Sequence, residues 1–71
     1  MNPKPLLGTM WVFDDMVPDD KSYHFLLLEE KHSAYDAIEW VFKVLTIETG
    51  NIETAYFNKK SHNYGGWKEH K

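Results

Sequence analysis

Apolar positions along this chain come in short alternating runs separated by turn formers. Met1-Asn2-Pro3-Lys4-Pro5 opens outside regular structure, because its two prolines fix φ and remove two backbone donors. After Gly8 a β-type run begins, in which Met10, Val12 and Asp14 alternate with Trp11 and Phe13. Asp14 to Ser22 reads as a loop, rich in turn formers around Pro18. Tyr23 to Glu30 predicts a second strand, with Phe25, Leu27 and Glu29 on one face and His24, Leu26 and Leu28 on the other. Apolar residues on both faces predict a sheet that is closed or covered. A polar loop follows over residues 30–36.

The stretch 36–49 carries two competing signals. Ser33-Ala34-Tyr35-Asp36 matches a helix capping box, Asp36, Glu39, Lys43 and Thr46 would line one helical stripe, and Gly50 would end the helix. Against this, β-branched or aromatic residues fill eight of the twelve positions from Ile38 to Thr49. Leu45 to Thr49, a turn at Gly50-Asn51, and Ile52 to Phe57 also read as a hairpin. Turn chemistry and β-branching agree, so the stretch reads as strand. Beyond it, Asn58 to Asn63 is polar and basic, Gly65-Gly66 is a tight turn, and Trp67 either closes a last short strand or sits in a frayed end.

These elements predict an all-β domain of about five short, strongly bent strands. An extended arm spans residues 1–7, the single domain 8–67 and a C-terminal tail 68–71. Gly8-Thr9-Met10-Trp11 opening strand one, Phe25-Leu26-Leu27-Leu28-Glu29 in strand two, Phe42-Lys43-Val44-Leu45 leading to Thr49-Gly50, and the late Trp67 give an order of features that resembles the SH3-like barrels of short phage and marine microbial proteins. The resemblance implies the barrel fold. It does not carry a polyproline-binding function, since no acidic loop is paired with an aromatic groove in the order of peptide-binding SH3 domains. Such barrels serve as assembly, nucleic-acid and peptide modules alike.

Composition narrows the picture further. Seventy-one residues make one domain, and eleven aromatic residues with a net charge of −3 are the opposite of a disorder signature. A domain this short buries only about 60% of its unfolded surface, so association with a second chain is an expected source of stability. Cysteine is absent, which excludes a disulfide framework and fits a cytoplasmic protein, such as one made in an infected host cell. No purely apolar run, Phe25-Leu26-Leu27-Leu28 included, exceeds four residues, so no membrane span and no signal peptide is expected.

Candidate chemistry is sparse. Asp14, Asp15, Asp19 and Asp20 supply oxygen ligands but lack the alternation, turn glycine and terminal glutamate of a calcium loop, so they read as a solvated acidic loop and not as a metal site. His24, His32, His62 and His70 stand singly, without zinc-site spacing. Ser22, Ser33 and Ser61 lie in polar loops outside any nucleophile motif, and Glu29, Glu39 and Glu48 show only strand alternation. No catalytic residue and no cofactor is therefore expected. Two surfaces are. On the third strand, either Trp40 and Phe42 or Val41, Leu45 and Ile47 must face outward, an apolar patch suited to a homo-oligomer or a protein partner. In the tail, Lys59, Lys60, Tyr64, Trp67 and Lys68 interleave charge with rings, the alternative platform for a single-stranded nucleic acid. Against that alternative stand the overall acidity and the absence of arginine. The Gly65-Gly66 turn would instead fold Trp67 back onto the barrel.

Overall fold

The computed structural model describes residues 1–13, 23–32, 34 and 36–71. The acidic cluster Asp14, Asp15, Asp19 and Asp20 lies outside the described residues. Five strands, β1 (Met10–Phe13), β2 (His24–Lys31), β3 (Glu39–Thr46), β4 (Ile52–Asn58) and β5 (Trp67–His70), form one antiparallel sheet in the order β4-β3-β2-β1-β5. The protein is all-β. Among the described residues no helix is long and apolar enough to cross a membrane.

β3 shows why β-branching prevails over the capping box. As a strand it places Trp40, Phe42, Val44 and Thr46 on one face, where Phe42 and Val44 are completely buried and Thr46 nearly so. A helix would scatter these residues around its circumference. The following turn is longer than a two-residue Gly50-Asn51 hairpin. The strand stops at Thr46, whose N–H donates to the Asn51 carbonyl at 2.8 Å and whose carbonyl accepts the Gly50 N–H at 2.8 Å. Gly50 sits at φ +74°, a conformation this turn requires and a side chain would resist.

β2 contains a bulge. Leu27 pairs with Val44 and Glu29 with Lys43, so Leu28 is the extra residue. Bulges bend the strand and raise its twist, and here the bend lies midway along the β2–β3 pairing. Inside the curl lies a core of Trp11, Leu27, Phe42, Val44, Ala55, Phe57 and Trp67, with Phe25, Trp40 and Tyr64 packed against it. The two edges, β4 and β5, do not pair through the backbone. Side chains bridge them instead: Trp67 stacks on Phe57 at 4.5 Å, and its indole N–H donates to the Tyr56 carbonyl at 2.8 Å.

One predicted boundary needs correction. Residues 68–70 are not a tail but part of β5, which pairs Trp67, Lys68, Glu69 and His70 with β1. The arm 1–7 is tied to the sheet: the Asn2 N–H reaches the Lys59 carbonyl at 2.7 Å, its side-chain amide the Ser61 carbonyl at 2.8 Å, and Pro5 is buried. Between β4 and β5 the chain reverses through Asn63–Gly66, where φ is positive at all four residues. Asparagine and glycine accept this readily, tyrosine does not. Tyr64 is held there by ring contacts with Trp11 at 5.1 Å and Phe57 at 5.9 Å and by its hydroxyl, which donates to the Pro3 carbonyl at 2.7 Å.

Candidate interaction surfaces

Pairing registers place Met10 beside Leu26, Leu26 beside Leu45, and Leu45 beside Ile52. These four residues form one continuous apolar row across β1, β2, β3 and β4, on the face opposite the core. Ile52 is 54% exposed, and Ile47, one step beyond the row, is 43% exposed. Glu29, Lys43 and Thr54 flank the row on one side. Val12, His24 and Ile47 flank it on the other, joined there by Glu48.

The predicted third-strand surface therefore divides. Leu45 and Ile47 face outward. Phe42 is buried completely in the core and Trp40 packs against it, so this pair cannot form the outward patch. Val41 is also buried. At the N-terminal end of β3 a mixed-charge cleft of about 450 Å³ has Trp40 in its wall, with the Lys59 ammonium 5.4 Å from the ring centroid. Lys4 and Glu30 pair at 2.5 Å in the same cleft.

The predicted basic, aromatic platform does not assemble. Trp67 is buried in the core, edge-on to Phe25 at 5.4 Å and stacked on Phe57, which closes that face to a base. Tyr64 is half-buried and spends its hydroxyl on Pro3. Burial, then the nearby Glu69 charge, raises its pKa above the ordinary phenol value, which keeps the hydroxyl a donor. Lys59 lies over Trp40, while Lys60 and Lys68 are exposed on separate elements.

On the outer face, Glu48 clamps the start of β2. One carboxylate oxygen accepts the His24 backbone N–H at 2.7 Å, and the other lies 2.5 Å from His24 Nδ1. These two bonds hold the Glu48 carboxyl below its ordinary range, against a smaller opposing effect of burial. The His24 ring meets His70 edge-on at 4.8 Å, linking β2 to β5 across β1. Spacing of the histidines along the chain gives no hint of this contact, which arises only because β5 returns to β1.

A second apolar feature lies between the sheet's edges. Phe13, Phe25, Val44, Ala55 and Trp67 line a groove of about 410 Å³ whose other wall is β4 itself, from Glu53 to Tyr56. Neither the strand patterns nor the composition points to it, because it exists only where two edges approach without pairing. Comparison with known protein families, with curated proteins and with solved structures finds no match to this chain.

Proposed function

We propose that this chain is a non-catalytic association module whose outer sheet face packs against the same face of a second copy. The observation that carries the reading is the unbroken row Met10, Leu26, Leu45, Ile52, extended by Ile47. Met10, Leu26 and Leu45 are half-buried and Ile52 and Ile47 exposed; a contiguous apolar surface that reaches solvent is characteristic of an interface, and two-fold contacts are the commonest way to cover one. Charge favours a second copy as the occupant. A two-fold axis along the row would set the Lys43 flank of one copy against the Glu48 flank of the other, and Glu29 against His24. Opposite charges then meet around an apolar centre, the usual anatomy of a specific interface. The strand order, with β5 returning to β1 after a short turn, supports the likeness to SH3-like barrels, a fold that serves assembly among other roles.

Light scattering on the purified chain tests this. The expected mass is a multiple of 8.4 kDa at micromolar concentration, and Leu45→Glu is expected to return the monomer with its circular dichroism unchanged, because Leu45 lies outside the core. A monomeric mass across the whole concentration range refutes self-association. A Leu45→Glu variant that keeps the larger mass refutes packing through the outer face.

A further inference from the structure

The open side of β4 is a second surface, independent of the outer row. Hydrogen bonds at both ends of the β3–β4 ladder, from Thr46 N–H to the Asn51 carbonyl and from Lys59 N–H to the Ile38 carbonyl, set which β4 residues bond to β3. Bonded pairs recur at every second residue in an antiparallel ladder. Glu53, Ala55 and Phe57 therefore turn their backbone groups toward β3, and Ile52, Thr54 and Tyr56 turn theirs toward the open edge. The Tyr56 carbonyl is already occupied by the Trp67 indole. That leaves the N–H and C=O of Ile52 and Thr54 and the Tyr56 N–H, with successive edge-facing residues about 6.8 Å apart. Only an extended chain presents matching groups at that spacing.

We propose that this edge takes, as a sixth strand, an extended peptide segment with an apolar residue and, two positions away on the same face, a basic one. Its apolar side chain enters the groove over Phe13, Phe25 and Trp67. Two features select the chemistry. β4 lacks the proline, lysine or bulge with which edge strands commonly repel partners. Glu53 is the only charged residue among the described residues lining the groove. Its carboxylate accepts the buried Thr46 hydroxyl and stays exposed on its other side, so it repels acidic strands and pairs with a lysine or arginine two positions from the inserted side chain, on the same face of the added strand. The main-chain bonds would supply affinity and the groove specificity.

The probe is a capped peptide of about six residues, the length of an ordinary strand, with valine and lysine at successive inward positions and threonine between them, added to the full chain and followed by backbone amide shifts. Shifts are expected at Ile52, Thr54, Tyr56 and the Trp67 indole. N-methylation of every second peptide amide, on the side facing β4, should weaken binding about tenfold. Thr54→Pro should do the same, since the lost N–H serves no partner among the described residues. If that variant fails to fold, Glu53→Lys reads the same site, because it should reverse the preference toward the same peptide with glutamate in place of its lysine. Shifts centred on Met10, Leu26 and Leu45, or affinity indifferent to methylation, would overturn the proposal. A Thr54→Pro effect on the mass of the chain alone, without effect on peptide affinity, would overturn it in favour of a second copy at this edge. Because Leu45→Glu leaves β4 intact, failure of outer-face association and failure of peptide addition are read separately.

Discussion

At the scale of single residues, Trp67 carries more of the fold than its place near the chain's end suggests. It stacks on Phe57, meets Phe13 edge-on at 4.9 Å and bonds the Tyr56 carbonyl, so one side chain ties β5 to the far edge of the sheet. Trp67→Phe keeps a ring in the stack but leaves the carbonyl without its donor. The expected loss is about 1–2 kcal/mol, which lowers the melting temperature by about 4–8 °C per kcal/mol in a domain of this size. Thermal denaturation followed by far-ultraviolet circular dichroism measures it. Glu48 gives a different signature. Its folded pKa lies below its unfolded value, so its contribution to stability is present above that value and disappears as pH falls through the folded one. Wild type should therefore lose melting temperature on acidification below about pH 4.3 more steeply than Glu48→Gln. Parallel pH profiles of the two proteins would show that the clamp on His24 has no energetic role.

At the scale of elements, strand identity was legible in β3 from its β-branched and aromatic residues, and the structure agrees. The bulge in β2 was not. Leu28 extends an ordinary apolar run, and nothing local marks it as the residue that drops out of register. Its deletion makes a clean test, because Leu27 and Glu29 would still oppose Val44 and Lys43 and alternation across the strand would be regular. The pairs should persist while the bend is lost, at a cost of roughly 1–3 kcal/mol. Cross-strand nuclear Overhauser effects report the register and a melt reports the cost. An undiminished melting temperature would show that the curl does not depend on the bulge. The reversal at Asn63–Gly66 is similar in kind: Gly65-Gly66 announces a turn, but the left-handed Tyr64 is tolerated only because Trp11, Phe57 and Pro3 hold it from elsewhere in the chain.

For the molecule as a whole, the sheet solves the small-domain problem by rolling five strands around their own aromatic side chains, leaving two consequences at its surface. Rolling inward buries Phe42 and Trp67 and turns the opposite face, with Leu45 at its centre, to solvent. Stopping short of backbone closure leaves β4 with unpaired groups beside an apolar groove. Both proposed contacts follow from this geometry, the first from the outer face and the second from the gap. They use different residues at their centres, Leu45 and Thr54.

Local composition alone determined that the chain is a single all-β domain with apolar residues on both strand faces, because β-branching, alternation and turn formers act within a few residues of one another. It also narrowed the outward patch to two alternatives on the third strand. Choosing between them needed the register of β3 against β2 and β4, which inverts every side chain if it slips by one. Only the tertiary structure decided that Leu45 and Ile47 face outward, that Lys68 to His70 form a strand, and that Trp67 is core and not platform. In each case a deciding partner is distant in sequence: Leu26 for the row, Met10 to Phe13 for β5, Phe25 for Trp67. Contacts over such separations leave no local periodicity to read.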